Sequence, residues 1–203
     1  MQREIILVVG KTGSGKTTWA KSLFAQTPRA LLADAGFQEF PALYFAEYPE
    51  FVHYARTQGA FSDFQSSPFR LSYVPFRWGY TPRIVEEPLI FDTAMELGNC
   101  VLFLEEADRF EDPRTLQEYD EVISRGRHHG VSIVAVTPHP YGLPKDLRRQ
   151  ATRIIAFNQD EPGDLDYLAA RMGDAAYTLP SLPRFTYLDW SPFAPIQKKS
   201  LTK

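Results

Sequence analysis

The sequence predicts a doubly wound α/β domain, a mostly parallel sheet flanked by helices. Three observations carry that prediction. The runs 5–9 and 100–104 are apolar throughout, and 131–136 is apolar but for Ser132, rather than alternating, as strands buried on both faces are. Stretches with helical spacing lie between such runs, giving the strand–helix–strand order of right-handed parallel crossovers. A glycine-rich turn joins the first run directly to the first helix.

At 203 residues, the chain is read as one domain over 1–192 followed by a flexible basic tail at 193–203. That length allows a sizeable core. Apolar content of 44% and charged content of 23% are ordinary for a globular chain. A net charge of −3 argues against an open basic nucleic-acid surface, although a local basic channel remains compatible with it. Cys100 is the only cysteine, which excludes an intramolecular disulfide and suits a reducing cytosol. The chain enters its first strand at once, so no secretory leader is expected. No apolar run approaches the roughly 20 residues of a membrane span.

Taken in order, residues 4–9 form a strand and 16–26 a helix ended by Pro28. Residues 29–34 form a short buried strand. The stretch 41–59 holds one or two helices. Its aromatics, among them Tyr44, Phe45, Tyr48, Phe51 and Tyr54, are either a base-stacking platform or a cover for one sheet edge. A strand over 69–76 is placed between the first strand and the strand at 100–104. A helix begins near Glu87, with Pro88 in its first turn, and ends at Gly98. After the strand at 100–104, a helix runs from Pro113 to about His129 and is capped by Gly130. The strand 131–136, a short basic helix within 141–152, a strand at 153–157 and a helix over 164–172 follow. Residues 185–190 form a last edge strand.

The segment Gly10-Lys11-Thr12-Gly13-Ser14-Gly15-Lys16-Thr17-Thr18 fits G-x-x-x-x-G-K-[ST]. A chance match in a chain this long is on the order of one in a hundred. The strand before it and the helix after it supply the context such a loop needs. Glycines let the backbone turn tightly and approach a ligand, and the amides ahead of the helix form an anion nest. Lys16 is assigned to the β- and γ-phosphates of ATP, and the Thr17 hydroxyl to Mg²⁺.

Hydrolysis also needs an acid for the metal and a group to orient water. Glu105 and Glu106 end the strand at 100–104, and ligands bind beyond the carboxyl ends of parallel strands. Glu105 is assigned to Mg²⁺ and Glu106 to polarising the attacking water. Thr137, at the end of the next strand, senses the γ-phosphate or holds the water; His139 is the alternative. Arg125 and Arg127 are the first candidates for a cation supplied in trans to the transition state, ahead of Arg148, Arg149 and Arg153.

Three segments together resemble the HerA/FtsK clade of DNA-pumping ATPases. These are GKTGSGKTT at 10–18, VLFLEEAD at 101–108 and SRGRHHGVSIVAVTPHPYGLPKDLRRQATRIIAFN at 124–158. The last is the most diagnostic, with its Gly-Arg pair, strand, polar sensor, Leu-Pro, basic helix and final strand. The clade's glutamine after the third strand is replaced here by Pro138-His139. The resemblance implies a P-loop NTPase of the additional-strand (RecA/ASCE-like) type. Small members are similar to the genome-packaging ATPases of icosahedral viruses with an internal membrane. By that likeness the chain forms a homo-oligomeric ring, a hexamer, with ATP at subunit boundaries. The ring drives double-stranded DNA into a preformed capsid, touches capsid or portal-vertex proteins, and works in the host cytoplasm or on the virion. The alternatives are a phage assembly or extrusion ATPase of the same clade and a small-molecule, nucleoside-type kinase.

Overall fold

The structure is a computed structural model that describes residues 3–34, 39–60, 68–74, 87–110 and 116–201. Nine strands form one sheet in the order β3-β4-β2-β5-β6-β1-β7-β8-β9. Strand β1 is Ile5–Val9 and helix α1 is Lys16–Gln26. Next come β2 (Arg29–Asp34), β3 (Leu43–Phe45), α2 (Tyr48–Tyr54), β4 (Phe69–Tyr73) and α3 (Glu87–Leu97). They are followed by β5 (Val101–Glu105), α4 (Leu116–Arg125), β6 (Ser132–Thr137) and α5 (Lys145–Gln150). The chain closes with β7 (Arg153–Ala156), α6 (Pro162–Met172), β8 (Thr186–Ser191) and β9 (Ala194–Ser200). From β3 to β7 every pairing is parallel; β8 and β9 add antiparallel.

These apolar runs occupy the centre as expected. Every residue of β1, β5 and β6 is buried, because each of those strands is covered on both sides. Ile5, Leu7, Leu102, Leu104, Ile133 and Ala135 face a core built with α3, α4, α5 and α6. Ile6, Val8, Phe103, Val134 and Val136 face Trp19, Ala20 and Phe24 of α1. The winding is therefore asymmetric, with α1 the helix contributing to the second core. Each large side chain so buried contributes about 1.5–3 kcal/mol.

Three placements differ from the sequence expectation. The strand inserted between β1 and β5 is β6, not the 69–76 strand; β4 instead pairs outside β2. Its polar positions explain this. Arg70 sends its guanidinium to the Phe24 and Thr27 carbonyls at the end of α1, whereas β6 has six buried residues fit for the middle. Second, 41–59 holds an unforeseen edge strand, β3, before its helix. Third, 194–200 is not a flexible tail but β9, which makes β8 an inner strand. A two-residue turn at 192–193 allows the hairpin, and Lys199 binds Asp189 across it at 2.7 Å. Lysines on an outer strand also discourage further pairing.

Four of the aromatics of 44–54 prove to be cover: Phe45, Tyr48, Phe51 and Tyr54 pack on the core with Tyr73, whereas Tyr44 stays exposed. The helix start expected at Pro113 lies outside the described residues. Helix α4 is followed by a 3₁₀ turn, Gly126–His129, and Gly130 caps it with φ +68°. Among the described residues no helix is long and apolar enough to cross a membrane.

Candidate functional site

The loop between β1 and α1 wraps tightly around its own backbone. Gly10 has φ +139° and Gly15 φ +123°, a region L side chains rarely adopt. A Cβ on Gly10 would stand 2.8 Å from Phe157 Cβ, and one on Gly15 2.9 Å from Phe185 Cδ1. The Lys11 amide donates to the Asn158 carbonyl at 2.8 Å, and the Lys11 side chain pairs with Asp160 at 2.9 Å in solvent. Ser14 is buried, whereas Lys11, Thr12, Gly13 and Thr18 are exposed. The Lys16 ammonium folds onto the loop, donating to the Gly10 and Lys11 carbonyls at 2.6 and 3.1 Å. Burial lowers its pKa, and Glu105, Asp108 and Glu106 oppose the shift.

Those three acids come from the end of β5 and the turn beyond it. Glu105 is buried at 4% exposure, and the Thr17 hydroxyl donates to its Oε1 at 2.7 Å. That contact joins residues 88 positions apart, and the sequence had assigned both to one metal. Strand alternation alone would send Glu106 to the opposite face. Its φ of +54° takes it out of the strand and into the turn before the 3₁₀ segment Ala107–Phe110. There its carboxylate pairs with Arg109 at 2.5 Å.

Thr137 ends β6 beside this turn and is fully buried. Its hydroxyl donates to Asp108 at 2.8 Å and accepts the His139 amide at 3.0 Å. In this state it braces the acidic turn. The His139 ring lies 3.3 Å from Asp164, a buried carboxylate that also accepts from Gln159 and the Tyr141 amide.

Arg125 and Arg127 are nowhere near the loop of their own chain. The 3₁₀ turn that carries Arg127 leads into β6 at the amino ends of the strands. The adjoining Val131 carbonyl accepts from Arg3, just before β1, and the His129 carbonyl from the Asn99 amide, just before β5. The Lys16 loop follows the carboxyl end of β1. Arg125 is engaged with Glu121 at 2.7 Å, whereas Arg127 donates to the His128 ring at 3.3 Å and pairs with no carboxylate among the described residues. Arg148 stacks on Tyr141 and Tyr167, Arg149 lies 3.8 Å from Asp146, and Arg153 binds Asp189 with two bonds.

Sequence reasoning missed Arg109, Asp108 and the pair Arg184-Phe185. Asp108 and Arg109 follow the paired acids within three residues, so proximity in sequence was an available signal. Nothing in the pattern around 184–185 points to a loop 171 residues away, yet Arg184 Nε donates to the Gly13 carbonyl at 3.0 Å.

A glycine loop with its lysine, a threonine–glutamate pair behind it, a second glutamate on the next residue and an inserted central strand define a P-loop ATPase of the additional-strand type. Residues 6–159 match the family described as ATPase family associated with various cellular activities (AAA), and the chain belongs to it. No curated protein matches the sequence. Among solved structures, the genome packaging NTPase of Sulfolobus turreted icosahedral virus 2, in complex with AMP, superposes over 100% of both chains. Its TM-score is 0.71 at 18% identity. The DNA-packaging ATPase of Sulfolobus turreted icosahedral virus also covers 100% of both chains, with TM-score 0.68 and 21% identity. VirB4 of Thermoanaerobacter pseudethanolicus covers 98% of this chain and 89% of its own, with TM-score 0.64 and 12% identity.

Proposed function

We propose that this ATPase is a motor of the HerA/FtsK type that translocates double-stranded DNA and packages a viral genome into a preformed capsid. Its working form is a homo-oligomeric ring, a hexamer, seated on capsid or portal-vertex proteins in the host cytoplasm or on the virion. The packaging reading rests on the likeness in fold, over the full length of both chains, to two viral genome-packaging enzymes.

The observation that carries the hydrolytic chemistry is the Thr17–Glu105 bond at 2.7 Å. A hydroxyl and a carboxylate side by side are hard oxygen donors that fit Mg²⁺, and a bound Mg²⁺ would offset charge on the β- and γ-phosphates. Lys16 exchanges loop carbonyls for those phosphates. Glu106 orients the water and takes its proton, for which it must leave Arg109. Arg127 of the neighbouring subunit supplies the cation facing the transferred phosphoryl group. Thr137 holds the acidic turn in register through Asp108.

The test is ATP turnover with and without double-stranded DNA. DNA should accelerate hydrolysis, and Glu106→Gln should bind ATP without turning it over. Phosphoryl transfer to a nucleoside, with no response to DNA, overturns the proposal.

A further inference from the structure

A cavity of about 140 Å³ adjoins the loop, lined by Gly13, Gly15, Lys16, Thr17 and Thr18 on one side and by Arg184 and Phe185 on the other. Glu105 and Glu106 do not line it. Its lining runs from Lys16 and Thr17 past Thr18 to Arg184 and Phe185, so Arg184 stands at the end of the loop face away from those acids. The part of a bound nucleotide that reaches Arg184 is then the part beyond Lys16 and Thr17, and not the reacting γ-phosphate.

Arg184 and Phe185 are held there by the loop itself. The Phe185 amide donates to the Ser14 carbonyl at 2.9 Å, and its own carbonyl accepts the Leu201 amide at 2.9 Å. Phe185 takes φ +64°, a conformation costly for an aromatic residue outside glycine-like turns. Its ring is pressed within 2.9 Å of where a Cβ on Gly15 would be. The Arg184 guanidinium lies 4.6 Å from the centre of the Phe185 ring. Of its five N–H donors, one bonds the Gly13 carbonyl, and no carboxylate pairs with it among the described residues. An exposed, uncompensated guanidinium fixed beside an anion-binding loop is a preformed partner for phosphate.

We propose that Arg184 is a nucleotide-binding residue, acting in cis, that pairs with the phosphate nearest the ribose, while the Phe185 ring walls the ribose and base. This rests on the ATP-binding reading and adds a binding element from the far end of the chain. It makes the β7–β8 connection part of the site, so nucleotide binding draws the 173–185 segment and the loop together.

Mant-ADP and ATP binding, with steady-state hydrolysis, test it on the full chain. Arg184→Ala should weaken ADP and ATP alike by about tenfold, raise KM by the same factor and leave kcat near the wild-type value, because an interaction with the non-reacting part is uniform binding. Arg184→Gln keeps a donor for the Gly13 carbonyl without the charge, and should lose as much as Ala; Arg184→Lys should recover most of the loss. Wild-type affinity in the Gln or the Ala variant overturns the proposal, the first showing that the side chain only props the loop. A fall in kcat with KM unchanged also overturns it, by placing Arg184 at the reacting phosphate. If the wild-type chain binds neither nucleotide at millimolar concentration, the ATPase reading itself fails, and this inference with it.

Discussion

Arg127→Ala separates a shared active site from a self-contained one. Arg127 follows the ten-residue α4, whose end lies at the amino ends of the strands, where Arg3 bonds the Val122 and Ile123 carbonyls. The Lys16 loop lies at the carboxyl ends, a five-residue strand's length of about 16 Å away at 3.3 Å per residue, so Arg127 does not reach the site of its own subunit. The substitution should leave nucleotide affinity unchanged and slow hydrolysis in the assembled ring by about 10³-fold or more, the range of arginine fingers elsewhere. Mixing Arg127→Ala subunits with Glu106→Gln subunits then gives a quantitative expectation. A boundary works only where one subunit keeps Glu106 and its neighbour keeps Arg127. At equal amounts and random assembly, half times half makes about one boundary in four competent. Single-turnover hydrolysis of prebound ATP should therefore rise from about 0.1% of wild type in either parent to about 25% in the mixture. The single-turnover readout matters because it does not require neighbouring sites to fire in sequence. No recovery at any mixing ratio, in rings shown by native mass spectrometry to be mixed, refutes the trans role.

Three further outcomes follow from the geometry. Gly15→Ala puts a Cβ 2.9 Å from Phe185 Cδ1 at φ +123°; it should abolish ATP binding and destabilise the fold by about 1–3 kcal/mol, read as a lower thermal midpoint. Burial raises the Asp189 pKa, but bonds from Arg153 and Lys199 outweigh it and hold the carboxyl below its ordinary value. Its stabilisation is thus complete above the usual carboxylate range and fades as pH falls through the depressed value. Asp189→Asn should cost about 1–3 kcal/mol at pH 7, and urea midpoints should show that deficit shrinking toward pH 3. Cys100 is buried and its thiol is pushed up to about 12, so maleimide should label the native chain far more slowly than the unfolded one.

The central site was legible because its signals are local. The loop is contiguous, Glu105 ends an unmistakable buried run, and parallel strands end on one rim, so Thr17 and Glu105 had to be neighbours. What escaped was non-local or short. Strand order depends on which run tolerates an outer position, and the Arg70 bonds that favour one for β4 exist only after α1 has packed. β3 has three residues, none of them buried, and leaves no periodicity to read. β9 looked like a basic tail because its partner strand, which supplies Asp189 to Lys199, decides its fate. Arg184 reaches the loop through a 3₁₀ segment and a left-handed Phe185, neither of which has a sequence signature.

Lys16 and Arg127 stand at opposite ends of one sheet, and under the proposed trans role of Arg127 that separation would make turnover a property of association rather than of the chain. On that proposal a dilute subunit would hold nucleotide beside Glu106 with no cation across from it, and its specific activity should fall as protein concentration drops below the dissociation constant of the subunit boundary. Hydrolysis would then be confined to wherever subunits are gathered, and free subunits would idle without any inhibitor.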